Sequence, residues 1–564
     1  MPRTLLLLTL SPLAPFVLAQ SPIKPGIQPA SDGGECPGKP FGYAAIRTRA
    51  ELERIDLLGR SFLCNDIDLE LKEFAPLGKY PTTFSGVFDG GNHTIRNLKI
   101  SAGNQYLGLF AMAYLREGGS APLIKNLVLL NTRIEPGGYS DNVGALVGYM
   151  DGSARVENVK VLNVIGSVPP GDLVPSHVRG HIHVGGLVGS SAGTVKNSSF
   201  TGIVRGVVYG FGTASNDVGG AVGTNWGRIE NTSATGYVFA HQNAGGLVGA
   251  NVSFRNNLGR GYGTIRGCSS SADVNGSNDV GGLVGANDAG RTDEKEVGRG
   301  PSISESFALG KVTAGLGSVG GLAGFNRGTI ENSFAAGSVT FSGAFDFFQV
   351  GVGGLVGQNG GLVSKSYSVG RVQNPYSATG VTAGGLIGRE ILPESSIPGW
   401  FNPEVFASYW DLETSGQTES AGGEGKRTVE MQSIGTYASG FQPPLAADWD
   451  IRLSTDPRQS VWKIRQGPSS NPSYPYLDPS RDRTPRIAYW WGKVNQHVED
   501  GFWRTDPDGR SGANLNKLAY CRNWFPQTTG VQESYKLETL YDWKAAGNQG
   551  SYVGTIMTDR CIQP

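Results

Sequence analysis

The chain has 564 residues, 85 of them glycine, with 38% hydrophobic residues and 48 basic against 48 acidic side chains. Glycine at about twice its average usage of roughly 7%, without a strict third-residue period, excludes collagen and favours one elongated repeat domain over a single thick core. Balanced charge removes the electrostatic ground for nucleic acid or an acidic membrane surface as partner.

In chain order, "MPRTLLLLTLSPLAPFVLAQ" sets Arg3 before a leucine run and ends near Val17, Leu18 and Ala19, so residues 1–19 are predicted to be a secretory signal peptide and 20–40 a linker. No later stretch holds 18 unbroken apolar residues, so no transmembrane helix is expected, and the protein should be secreted, extracellular or at a cell surface. Export permits disulfides among Cys36, Cys64, Cys268, Cys521 and Cys561, and the odd number leaves at least one thiol out of an intradomain pair.

Residues 41–135 carry "SFLCNDIDLE" at Ser61, "APLGKY" at Ala75, "FSGVFDGGNHTIRNLKI" at Phe84 and "LGLFA" at Leu107. From 136 to 400 one phrase returns: "VGALVG" at Val143, "VGGLVG" at Val184, "VGGAVG" at Val218, "AGGLVG" at Ala244 and "VGGLVG" at Val280, then "VGGLAG" at Val319, "VGGLVG" at Val352 and "AGGLIG" at Ala383. A second phrase follows most of them, as in "GTVKNSSFTGIV" from Gly193 and "GTIENSFAAGSV" from Gly328. The spacing drifts from 26 residues (Val218 to Ala244) to 41 (Val143 to Val184), as expected of stacked units with loop insertions. Apolar runs this short, broken by glycine, cannot sustain helices and read as strands that bury their apolar face only by stacking. The predicted fold is therefore all-β, a parallel β-helix, with right-handedness taken from the general crossover rule. Gly185, Gly186 and their equivalents have two possible uses, corners with positive φ or close approach of backbones in a narrow bore.

Residues 401–478 hold "ASYWDLETSGQTESAGGEGKRTVEMQ" at Ala407 and "VWKIRQGPSSNPSYPYL" at Val461, and 479–564 form a tryptophan-rich, cysteine-containing C-terminal module. The glycine phrases resemble the GLUG motif of large secreted and surface proteins. The stretches before and after resemble the regions that usually open and close such repeats, so the likeness covers roughly residues 41–478. It implies an exported β-helix of adhesive or surface-interaction type and no particular reaction. The chain lacks H-E-x-x-H, so the protease activity found beside these repeats in some relatives is not implied.

Asp66, Asp68 and Asp89 are the carboxylates that an acid–base or calcium reading would use, as in polysaccharide-active β-helix enzymes. Asp89 before two glycines also suits a turn. His181 and His183 in "HIH" are expected in a solvated loop, and His93 in a turn. Asp and Asn recur in "GYSDNVG", "TASNDVG" and "GSNDVG", where corner hydrogen bonding is favoured over calcium. "DPDGRSGAN" at Asp506 lacks the order of a calcium loop, so no metal and no cofactor is expected. Asn92, Asn197, Asn231, Asn251 and Asn275 head glycosylation sequons. Cys268 shares a repeat column with Ser198, Thr232, Ser306, Ser333 and Ser366, so it should be a ladder residue outside any disulfide, leaving Cys36 with Cys64 and Cys521 with Cys561. The tryptophans, among them Trp226, Trp400, Trp410 and Trp462, could stack on sugars, but core packing is favoured for those from Trp490 onward.

The sequence thus points to a secreted, non-enzymatic β-helix that contacts a surface or an extracellular polysaccharide or glycan. The rival readings are a polysaccharide lyase or hydrolase using Asp66, Asp68 and Asp89, and a structural stalk. Oligomeric state is left open.

Overall fold

A computed structural model gives the fold. It describes residues 36–480 apart from residue 104 and segments 164–176, 209–214, 257–258, 289–299, 344–348, 375–379, 392–402, 439–447 and 467–472. At 254–256 and 259–260 it describes the backbone alone, as it does in the five strands beyond 480. The predicted signal peptide, Trp400, the Asp506 loop and the Cys521–Cys561 pair lie outside the described residues or side chains.

Each repeat is one coil of a parallel β-helix. In the coil of the second phrase, Ile182–Gly185 lies in a first narrow sheet, and a bend at Gly186 and Leu187 leads into Val188–Ser191 in a second. A corner then leads to Thr194–Lys196 and Ser199–Gly206 in a broad sheet, with a second corner at Asn197 between them. Among the described residues successive coils pair in parallel, giving two narrow sheets of nine coil strands each, one of them joined by the antiparallel strand Gly259–Tyr262, and a broad sheet of 29. The opening region already belongs to this stack, since Ala44–Ile46 pairs with Arg60–Leu63. At the other end Tyr409–Asp411 and Glu424–Lys426 still add to the broad sheet. Beyond residue 480 the described strands pair antiparallel instead.

The interior is built from columns. Leu146, Leu187, Ala221, Leu247, Leu283, Leu322, Leu355 and Leu386 come from the same point of successive glycine phrases and are fully buried. Of the two uses open to the phrase glycines, the structure takes the second. Gly185, Gly186 and Gly321 carry no positive φ. A Cβ on Gly185 would stand 2.0 Å from the Val188 carbonyl oxygen, and one on Gly186 2.1 Å from that of Gly220. The two narrow sheets therefore meet backbone to backbone, which any side chain would prevent.

Positive φ falls instead on non-glycine corners, at Asn142, His183, Asp217, Asn243 and Asp279 in one column and at Asn126, Asn158, Asn197 and Asn231 in another. Asn and Asp tolerate this region because their short polar chains bond locally.

Two internal ladders fix the register. Asn225, Asn251, Asn287, Asn326 and Asn359 are completely buried, and each side-chain amide donates to the next oxygen at 2.7–2.8 Å. Ser306 donates its backbone N–H to Ser333 Oγ, and Ser333 in turn to Ser366 Oγ, each at 3.1–3.3 Å. Cys268 stands in this column, its N–H donating to Ser306 Oγ and its buried thiol donating to the Arg266 carbonyl. Cys36 and Cys64 form a disulfide that ties the first residues to the first coil.

Candidate functional site

The three candidate carboxylates sit on the first coils and do not converge on a common partner. Asp66 accepts from the Thr94 N–H at 2.8 Å and lies 3.5 Å from His93 Nδ1. Asp68 accepts from Asn97, the Glu70 N–H and Arg96, which lower its carboxyl to about 2. Asp89 is buried and accepts from the Gly91 N–H at 3.0 Å, closing the turn, and from Asn126 at 3.1 Å, while Lys125 Nζ stands 3.2 Å away.

Asp89 is also the first member of a charge ladder that the sequence reading did not find. On the broad sheet Asp89, Lys125, Glu157, Lys196, Glu230 and Arg266 lie directly opposite one another on successive coils, alternating in sign. Opposite charges at facing positions stabilise one register and penalise a slip.

The histidine pair corrects the expectation of a solvated loop. His181 is 1% exposed, its Nδ1 is 2.7 Å from the Val207 carbonyl, and its ring packs on Tyr139. His183 occupies a left-handed corner, with Nδ1 2.7 Å from Asp141 and Nε2 3.5 Å from Asp217. Asp217 further accepts from Thr224 and Asn243. Two of the three aspartates weighed for calcium, Asp141 and Asp217, thus clasp an imidazole. Among the described residues no three His, Cys, Asp or Glu side chains are grouped as metal ligands.

Burial alone would lower the His183 pKa, but the Asp141 hydrogen bond and the Asp217 charge outweigh it and raise it. Burial, with the Asp288 charge adding to it and Arg327 opposing, raises Asp279 to about 6. Both folded values lie above the unfolded ones. The Asp279 contribution is therefore complete below about pH 4 and lost as pH rises through about 6. The His183 contribution is complete below about pH 6.5 and lost above it. Thermal unfolding is expected at a higher midpoint near pH 5.5 than at pH 8, and His183→Gln should flatten the part of the slope above about pH 6.5. A midpoint that rises steadily to pH 8 contradicts this.

The sequons divide. Asn92, Asn197 and Asn275 are exposed and Asn231 half-buried. Asn251 is a correction: it is wholly buried inside the asparagine ladder, so the folded chain has no room for a glycan there.

The tryptophans divide as well. Trp226 is half-buried, 6.3 Å from His183 between ring centres. Trp410, Trp449 and Trp462 are buried. The last two belong to a second core in which Met431, Tyr437, Ile451, Val461, Ile464 and Leu477 pack on aromatic side chains of the broad sheet. Phe307, Phe334 and Tyr367 stack there on successive coils at 5.0 and 5.1 Å. Trp462 covers them and donates from Nε1 to Asn332 Oδ1 at 3.1 Å. These indoles pack a core and offer no exposed face to sugars.

Fold and faces together define a parallel β-helical repeat protein whose polar groups are arrayed along its axis. The chain carries the GLUG motif, whose family model matches residues 180–205. A protein of Evansella cellulosilytica named "Putative Gly-rich membrane protein" is 32% identical over 153 residues, which are 27% of this chain and 12% of that protein, so the likeness spans only a small part of that relative. No described helix here is long and apolar enough to cross a membrane. A crystal structure of a "putative immunoglobulin A1 protease" from Bacteroides ovatus aligns with a TM-score of 0.30 at 18% identity, over 62% of this chain and 84% of that one.

Proposed function

We propose that this is a secreted, non-enzymatic β-helix that uses its long repetitive faces for adhesion or for contact with a polysaccharide or cell-surface glycan. One observation carries the reading: polar side chains recur once per coil at directly facing positions, as in the ladder from Asp89 to Arg266. Such an array suits an extended ligand lying along the axis. A hydrolase or lyase instead needs a few carboxylates converging on one bond. Asp66, Asp68 and Asp89 each have their own set of partners. The signal peptide expected at 1–19 and the likeness to surface repeat proteins support an extracellular location.

A glycan array probed with the chain from Gln20 onward, run beside a reducing-sugar release assay on the glycans that bind, tests this. Saturable binding without release is expected. Release that Asp89→Asn abolishes while leaving the melting temperature unchanged makes the protein an enzyme.

A further inference from the structure

Along the two narrow sheets, four successive coils each contribute one half-buried ring. Tyr106 lies in Gln105–Leu107, Tyr149 in Val147–Met150, His183 in Ile182–Gly185, and Trp226 just past Val222–Asn225. Tyr106 and Tyr149 meet edge to face at 6.2 Å between ring centres, and His183 and Trp226 stand 6.3 Å apart. With neighbouring strands about 4.8 Å apart, the strip is about 14 Å long. On the next coil the same faces carry Asn243, Ala250 and Val252, so the rings end there.

The repeat itself does not call for these rings. Tyr106 and His183 occupy the corner column that otherwise holds Asn142, Asp217, Asn243 and Asp279, and they share its positive φ, at 54° and 52°. Asn, Asp and His enter this region readily, whereas a bulky tyrosine there is an outlier of the kind that gathers at binding sites. Hydrogen-bonding groups border the rings. Gln105, Asp141 and Asn216 share one column, in which Asp141 engages His183 through Oδ1 and Asn216 Oδ1 has no partner among the described residues. Ser190, fully buried between Tyr149 and Thr224 in register, has a hydroxyl that is likewise unpartnered among the described residues.

We infer that the strip from Tyr106 to Trp226 binds a neutral polysaccharide lying along the helix axis. The inference rests on the proposed glycan-contact function and names its site and ligand class. A sugar ring has an apolar face edged by hydroxyls, so it stacks on an amphipathic ring such as Tyr149 or Trp226 while its hydroxyls bond the Gln105 and Asn216 amides, which both donate and accept. Three coil spacings give room for about three sugars. The charged members of the strip are Asp141, Asp217 and the His183 between them, so an anionic chain would meet carboxylates.

The test measures binding of three neutral polymers, hydroxyethylcellulose, galactomannan and dextran, and of anionic polygalacturonate. The proteins are the full chain and its variants Trp226→Ala and Tyr106→Asn, each also followed by thermal unfolding. At least one neutral polymer should bind the wild type, with an affinity that changes less than about twofold between about 50 and about 300 mM salt. Each variant should bind it at least about tenfold more weakly. Tyr106→Asn should unfold no earlier than the wild type, because asparagine is the residue that this column otherwise uses at positive φ. An earlier midpoint would make the tyrosine a packing residue, and unchanged affinity in either variant would place the ligand elsewhere; both overturn the inference. Binding of polygalacturonate without any neutral polymer overturns the inference alone and leaves the glycan-contact function standing. Silence toward every glycan on the array removes both.

Discussion

Gly321→Val is expected to lower stability by at least about 3 kcal/mol and to open the coils on either side of Val319. A Cβ at Gly321 would stand 2.1 Å from the Gly354 carbonyl oxygen and 2.9 Å from Ala335 Cβ. The first is the backbone of the next coil and the second an inward methyl, so no flexible side-chain end can swing away. The two coils must separate at this bend, and the Leu322–Leu355 hydrogen bond between them opens. Stability in a stacked array is nearly a sum of units and nearest-neighbour interfaces, so the damage should stay local. Hydrogen exchange should show lost protection at Val319–Gly320, Ala323–Asn326 and Val350–Gly353, with protection kept at Asp141–Gly144. Gly138→Val is the control, since a Cβ there meets nothing within 4 Å and the φ is ordinary. Equal effects of the two substitutions would show that the phrase glycines serve chain flexibility and not close approach.

The repeat was legible because its inward residues are both hydrophobic and periodic. Aligning "VGGLVG" with "AGGLVG" superposes Leu187 on Leu247, and the structure stacks them in one column. The Cys268 column was legible for the same reason, through its small hydroxyl neighbours. What the glycines do was not legible, because a glycine needed for positive φ and one needed for close approach look alike in sequence. The left-handed corners had gone to Asn, Asp and His, where the residue type itself was the signal.

The asparagine ladder left a signal that was passed over. Asn225, Asn251, Asn287, Asn326 and Asn359 each stand three residues after Val222, Val248, Val284, Ala323 and Val356, so one more column of the alignment exposes it. Reading Asn251 as a sequon hid its place in the core. The charge ladder was harder. Lys196 and Glu230 are 34 residues apart, and only the coil register places them opposite each other. The packing of Trp449, Trp462 and their neighbours on the side of the helix had a trace in Phe307, Phe334 and Tyr367, which replace Ser199, Ser233 and Ser269 of the same column. Serine marks the part open to water and aromatic residues the part that is covered.

Trp462→Ala should cost about 3–5 kcal/mol and release the closing segment from the helix while the coils beneath stay folded. The indole is completely buried, 4.9 Å from Trp449, 5.8 Å from Tyr367 and 6.0 Å from Phe334 between ring centres. It belongs to the middle strand, Trp462–Ile464, of a three-stranded sheet, so its loss unseats Ile451–Leu453 on one side and Tyr476–Leu477 on the other. The coil core has separate columns, among them Ile303, Ile330 and Val363, that point away from this contact. Exchange should therefore speed up at residues 449–464 and stay slow at Thr329–Glu331, and the uncovered stack of Phe307, Phe334 and Tyr367 should bind a hydrophobic dye. Trp462→Phe should lie between, keeping the ring contacts but losing the hydrogen bond to Asn332. Equal loss of protection in both regions would mean that closing segment and coils unfold as one unit. If Trp462→Ala instead abolished glycan binding with the closing segment still protected, the tryptophan would be a sugar platform after all, and its burial here would have to open when the ligand arrives.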